Sequence, residues 1–530
     1  MTRRPFTAKL ICAIIALAVS TVSVQAHSDE NGIQTLTDYF EMIVSGNLES
    51  AGLMWREDCV ERASRFGIEY TGIPLKVDCG SPVVNNLPVM RGHLQPSVKQ
   101  AQALNPPQFT KLLFSNFVGG KSVEHNYYVQ NMRGYFALIY PQDYFARDWK
   151  VTSTKYFRIH THPQREQFLN PTVSAEADLC VERLADSLGL SKENLKEFAA
   201  KKIEFFYCDN DSTVGAITGV VTQGQFDVAS NDIISADFPH PHELVHLLLN
   251  VKLKQLPLFT LPILREGIAV RFGGRWGKRS TSLLDLGVFL LKEQIVELDS
   301  IITAPGFRGA SGSDIAYPVA GVFVSYLLDK MGQSKFLDLY RALSVESDVL
   351  DTLNHLYVQS ALTKATGLTD WPALVADFNA YGASVTEKRA SILPGGEPGG
   401  SSIVKSDRIA ITGDRDWLTF EIANDSAVAP QGNILFGFDF RMNGQSSLLF
   451  TQQYGDAFPF EAYRYGLRFD GNEAGLYDYG TNELVAKYIW GITPSEKYFD
   501  KIEKKLRIHL RRSLLGKTLP NKGDFKVLPQ

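Results

Sequence analysis

A chain of 530 residues is too long for one ordinary hydrophobic core and implies about two to four domains. With 44% apolar, 21% charged and 11% aromatic residues, the composition excludes a disordered or collagen-like protein. A formal charge of -4 gives no sign of the phosphate-neutralising surface that a nucleic acid requires, so no nucleic-acid partner is expected.

Arg3, Arg4 and Lys9 precede an apolar run from Leu10 to Val19, and Val24-Gln25-Ala26 forms a small-residue end. This is the pattern of a secretory signal over 1-26, cleaved before His27. Ten apolar residues are too few for the roughly 20 that span a bilayer, and no later run is long enough, so no stable membrane span is expected. Arg3-Arg4 fits an ordinary export signal and also the twin-arginine type. Removing 26 of 530 residues leaves 504, and the three basic side chains lost with them take the charge from -4 to -7. The mature protein is expected to be periplasmic or secreted. Its cysteines are then Cys59, Cys79, Cys180 and Cys208, an even set that favours disulfides in an oxidising compartment, paired 59 with 79 and 180 with 208.

Residues 27-147 begin with helical spacing (Leu36, Tyr39, Phe40, Ile43, Val44) and turn strand-like at Tyr127-Tyr128-Val129 and Tyr135 to Tyr140, the pattern of a small α+β domain. Residues 148-390 form the central domain. A strand at Tyr156 to His160 leads to a helix from about Ala175 to Leu188, with Gly189 as its cap. Ile203 to Tyr207 is a second strand, Val214 to Ile234 holds further extended segments, and helices dominate from His242 to about Tyr381. Gly, Pro and Ser crowd 391-402, which reads as a linker. Beyond it, 403-530 is β-rich, with hairpin turns expected at Asn443-Gly444 and Asp470-Gly471. The last thirty residues hold nine Lys/Arg against Glu503 and Asp524, a basic end suited to solvent or to an anionic polymer.

The chemistry concentrates at Pro241-His242-Glu243-Leu244-Val245-His246, an H-E-x-x-H. On a helix, four residues place both imidazoles on one face, one turn apart, where they can ligate one Zn²⁺. Glu243 lies beside that face, placed to act on water rather than to join the ligands. Pro239 and Pro241 are tolerated only before or in the first turn, so the helix starts there. Nineteen residues separate His246 from Glu266, which opens a second helical stretch and can complete a His₂Glu set of one ion per chain. His240 is out of register for this role, and Asn250 and Asp314 are candidate supports for the ligands. Gly224 to Ser230 reads as a sheet edge that an extended peptide could pair with. No serine stands in a G-x-S-x-G context.

His242, Glu243 and His246, followed by Glu266-Gly267-Ile268-Ala269, resemble the gluzincin metallopeptidases of the MA clan, which include thermolysin and the zinc aminopeptidases. The resemblance covers about Trp149 to Tyr381 and implies a multidomain α+β protein whose central domain is thermolysin-like. It further implies a zinc peptidase acting on peptide or protein substrates, with His242, His246 and Glu266 as ligands and Glu243 as general base. Tyr317, heading Tyr317-Pro318-Val319-Ala320-Gly321, matches the placement of the family's oxyanion-stabilising tyrosine. The Gly-x-Met-Glu-Asn segment by which many family aminopeptidases hold a free N-terminus is absent, which favours endopeptidase action. The rival expectation is a catalytically inactive zincin-fold binding protein that acts on cell-envelope polymers through its β-rich C-terminal domain.

Overall fold

The computed structural model describes residues 30-70, 73, 75-81, 84, 97-106, 108-118, 121-169, 171-256, 259-275, 280-310, 313-345 and 354-391, followed by ten strand segments between 401 and 529. The expected signal segment, the Asn443-Gly444 turn and residues 392-400 of the expected linker lie outside the described residues. Helix and sheet are mixed, as an α+β protein requires. The protein divides into two compact units: residues 1-165, 185-260 and 341-352 form one, and residues 166-184, 261-340 and 353-530 the other.

In the first unit, helix α1 (30-45) precedes an antiparallel sheet of β1 (Ser97–Ala103), β2 (Phe109–Val118), β3 (Lys121–Asn131) and β4 (Phe136–Ile139), joined in that order. The apolar face of α1 drives the packing: Phe40 stacks on Phe114 with centroids 4.4 Å apart, and Tyr127 meets Phe40 edge-on at 5.6 Å. Helix α2 (Glu57–Ser64) lies between α1 and the sheet in sequence.

A second, five-stranded sheet is built from β5 (Lys150–Ser153), β6 (Phe157–Thr161), β7 (Ile203–Tyr207), β8 (Gly224–Asp227) and β9 (Asp232–Ser235), in the spatial order β5-β6-β7-β9-β8. The three inner strands run parallel, and each outer strand is antiparallel to its neighbour. Ile203-Glu204-Phe205-Phe206-Tyr207 is buried along its whole length, as a largely apolar strand at the centre of a parallel sheet should be. The one charge in it, Glu204, is met by Arg158 Nε at 3.0 Å and His160 Nε2 at 2.7 Å. Helices α3 (Lys192–Lys201) and α4 (Asp211–Thr218) flank β7 in sequence.

The helix expected from Ala175 runs Pro171–Ser187, and Gly189 beyond it takes a positive φ of 64°. The extended conformation expected from Val214 is corrected over its first five residues, which belong to α4. Asn210 caps that helix by accepting from the Thr213 N–H at 3.0 Å, and Gly219 ends it in the left-handed region, so local capping overrides the β-branched composition.

The second unit contributes α6 (Pro262–Gly273), α7 (Ser280–Lys292), α8 (Ser313–Ala342), α9 (His355–Thr366) and α10 (Trp371–Ser391); α5 (Pro241–Leu253) precedes them in the first unit. Gly332 breaks α8 with a φ of 79°. The C-terminal part is β-rich. Strands β10 (Ser401–Lys405), β11 (Ile409–Gly413), β12 (Trp417–Ala423), β13 (Ile434–Phe438), β14 (Tyr465–Asp470), β15 (Glu473–Asp478), β16 (Glu483–Ile489), β17 (Phe499–Ile502), β18 (Lys505–Arg511) and β19 (Phe525–Pro529) make two antiparallel sheets, ordered β10-β11-β12-β18-β17 and β16-β15-β14-β13-β19. Strands β14 and β15 pair antiparallel on either side of the expected Asp470-Gly471 turn.

The disulfide expectation is corrected: no disulfide joins Cys59, Cys79, Cys180 or Cys208, and all four are buried. Cys59 Sγ lies 3.3 Å from Asp143 Oδ2, Cys79 Sγ 3.4 Å from the Val228 carbonyl and Cys208 Sγ 3.6 Å from the Phe206 carbonyl, so these thiols point to different neighbourhoods. No helix among the described residues is long and apolar enough to cross a membrane.

Candidate metal centre

Helix α5 begins where its prolines permit. Pro241 occupies the first helical position, and His240 precedes it as the cap, its Nδ1 accepting from the Glu243 N–H at 3.4 Å. His242 and His246 then fall on one face, with ring centroids 5.0 Å apart and planes at 83°. The rest of the helix is sunk in the core, with Leu244, Val245, Leu247, Leu248 and Leu249 almost wholly buried. The pair therefore sits on a rigid element rather than a loop.

Glu243 is directed by the sheet. Its Oε2 accepts from the Phe226 N–H of β8 at 2.8 Å, and its side chain is buried. Strand β8 is the sheet's outer strand and, among the described residues, pairs only with β9, which leaves alternate backbone groups of β8 facing away from the ladder. Phe226 uses one of these. The close fit of α5 to this strand requires Gly224, because a Cβ there would come within 2.7 Å of the His240 ring.

On α6, Glu266 is placed by the glycine that follows it. A Cβ on Gly267 would stand 2.5 Å from the Ala320 carbonyl oxygen, so the backbones of α6 and α8 approach as only glycine allows. Tyr317 precedes Ala320 by three residues, one turn along α8. Its ring receives the Arg275 guanidinium at 3.7 Å from the centroid and the Phe307 ring edge-on at 5.4 Å. Arg265 Nε donates to Glu266 Oε1 at 2.9 Å. The guanidinium is also under the electrostatic influence of Tyr340 and Tyr317.

The side chains of His242, His246 and Glu266 offer ligand atoms that all lie within 4.8 Å of one another. Two imidazoles and a carboxylate form the borderline nitrogen-oxygen donor set that zinc takes, and ligand bonds of about 2 Å fit within that spread. The residues present thus fit the ion. A second grouping of the same kind, Asp58, Cys59 and Asp143, does not: Arg56 and Arg62 already hold its carboxylates at 2.5 to 3.0 Å. Burial also pushes the Cys59 thiol far above its usual range.

The other candidates are placed elsewhere. Asn250 Nδ2 donates to the Tyr70 hydroxyl at 3.2 Å, and His160 pairs with Glu204 and stacks on Phe206. The Asp314 side chain lies outside those described. Missed from the sequence were the Phe226 N–H, Arg265 and Tyr340. A backbone donor has no residue signature, and Arg265 and Tyr340 gain interest only once Glu266 is known to lie beside them.

The turn from Asp227 to Asp232, which joins β8 to β9, is gripped from the N-terminal part of the same unit. Lys76 Nζ donates to the Val228 carbonyl, to that of Ala229 at 3.1 Å and to Asn231 Oδ1 at 3.4 Å. Arg65 reaches Asp232 Oδ1 at 3.0 Å, Gln142 reaches Asp232 Oδ2 at 3.0 Å, and Asn231 Nδ2 donates to the Arg62 and Ala63 carbonyls at 3.1 and 3.0 Å. Comparison with protein-family models, with curated proteins and with solved structures finds no match for this protein.

Proposed function

We propose that the protein is an exported zinc-dependent metallopeptidase of the gluzincin kind, an endopeptidase in which His242, His246 and Glu266 hold one ion per chain. The reading is carried by one observation: the three ligand atoms gather within 4.8 Å, while Glu243 stands outside the set with its carboxylate fixed by the Phe226 N–H. Zinc, when bound, supplies Lewis acidity that makes a water nucleophilic near neutral pH and polarises a carbonyl.

The protein's own groups do the rest. The Phe226 N–H on Oε2 orients the Glu243 carboxylate, which takes the proton from the attacking water. The same carboxyl then returns that proton to the departing amine. Tyr317 is the donor for the developing oxyanion, and its ring is held between the Arg275 guanidinium and the edge of Phe307.

The test combines metal content with turnover. The purified protein should hold one zinc per chain and cleave a casein-like substrate in a chelator-sensitive way. Glu243→Gln should keep the zinc while losing at least roughly a hundredfold in kcat, as expected when a general base is removed. His246→Ala should lose the metal. Cleavage by Glu243→Gln at the wild-type rate would sink the assignment. Stoichiometric zinc with no cleavage of any peptide would favour the inactive binding protein instead.

A further inference from the structure

The helix that supplies Glu266 also supplies a cation at its side. Arg265 spends only Nε on Glu266 Oε1, and among the described residues its Nη1 and Nη2 have no hydrogen-bond partner. Its side chain keeps 35% of its surface exposed, against 9% for Glu266. A guanidinium offers two forks: a side fork that includes Nε, and an end fork made by the two terminal nitrogens. With Nε committed to the metal ligand, the end fork is the one available, and its geometry matches a carboxylate. Arg275 adds a second guanidinium, held on the Tyr317 ring at 3.7 Å. Glu266, the acid paired with Arg265, is also one of the three candidate ligands.

We propose that Arg265, with Arg275 behind Tyr317, forms a carboxylate-binding subsite beside the metal ligands, and that preferred substrates carry a carboxylate close to the cleaved bond. This rests on the peptidase reading and deepens it. The carboxylate comes from either an acidic side chain or the free C-terminus of a peptide, and both present the same planar pair of oxygens. Arg265 thereby does two things that a lysine does only singly: it steadies Glu266 through Nε and receives the substrate through Nη1 and Nη2.

The test uses the full-length protein with zinc bound and two sets of quenched fluorescent peptides. One set exchanges Glu for Gln at each position within three residues of the cleaved bond, and the other exchanges a C-terminal acid for its amide. One of the two sets should show a preference for the carboxylate of roughly tenfold or more in kcat/KM, as expected of a site built to hydrogen-bond its substrate. The set that responds identifies the source. Arg265→Met should bring that ratio close to one, and Arg265→Lys, which keeps charge and loses the fork, should leave an intermediate ratio.

Binding of the same peptides to Glu243→Gln protein, measured by fluorescence polarisation, gives a readout independent of turnover. The acid should bind more tightly than its neutral twin, and combining Arg265→Met with Glu243→Gln should remove the difference. Equal affinities in both sets, or a preference that survives Arg265→Met and Arg265→Lys, would overturn the subsite. An absence of cleavage accompanied by the binding difference would overturn the peptidase reading and leave the subsite standing.

Discussion

Asp78 is 4% exposed, and its Oδ2 accepts from the hydroxyls of Tyr39 and Tyr127, each at 2.8 Å. Burial pushes its pKa up to about 7, against the downward pull of those two donors. In the unfolded state the same group titrates near about 3.9. A carboxyl whose pKa is raised by folding stabilises the native state fully below the unfolded value, and that contribution fades as pH rises through the folded one. For a shift of this size it amounts to a few kcal/mol, on the order of 1.4 for each tenfold change. His125 pulls the other way: burial lowers its pKa to about 4, so its contribution fades as pH falls. Comparison with Asp78→Asn removes the His125 effect, which both proteins share. Between pH 5 and pH 8 the wild-type denaturation midpoint should fall relative to that of Asp78→Asn; parallel pH profiles would show that Asp78 is not protonated in the native state.

At the scale of elements, the site depends on how closely helices and strands approach, and this decides what the sequence could show. The H-E-x-x-H spacing is a property of one helix, so it was legible without a fold. Glu266 was legible from its distance along the chain after His246 and its place at the start of a helical stretch, whereas the close approach of Gly267 to the Ala320 carbonyl was not. The Phe226–Glu243 bond joins residues 17 apart through a main-chain N–H and was not legible. The grip on the Asp227 to Asp232 turn, whose partners lie 90 to 169 residues away, was beyond any local pattern. The cysteine pairing failed because an even count carries no distances. The helix contact gives a direct prediction. Gly267→Ala places a methyl 2.5 Å from a backbone oxygen that cannot swing aside, so α6 and α8 must separate. Overpacking of this kind costs roughly 1-3 kcal/mol. Because Glu266 rides on α6, zinc affinity should fall along with stability. A Gly267→Ala protein with native stability and full zinc affinity would show that this packing does not position the ligand.

On the scale of the whole molecule, the N-terminal part of the first unit does more than precede the candidate site, because it holds the far end of the strand that aims Glu243. Arg65 is the most committed member of that grip. It is buried, lies 3.0 Å from Asp232 Oδ1, and also faces Glu204 Oε1 at 3.4 Å. Asp232 is wholly buried; without Arg65 it would keep Gln142 at 3.0 Å and Arg62 at 3.7 Å, a thinner balance for a charge without water. Breaking one partner of a buried pair typically costs about 3-5 kcal/mol. For Arg65→Met part of this cost should be local: amides of the 227-232 turn should exchange hydrogen faster than in the wild type, while zinc stays at one per chain. If the turn sets the position of the Phe226 N–H, kcat should drop with KM little changed, because the loss falls on Glu243 and not on substrate contacts. Arg65→Lys, which keeps the charge and one donor toward Asp232, should recover part of both effects. Unchanged exchange at the turn, or a loss of zinc parallel to the loss of kcat, would mean that the N-terminal segment supports the fold at large and does not tune the base.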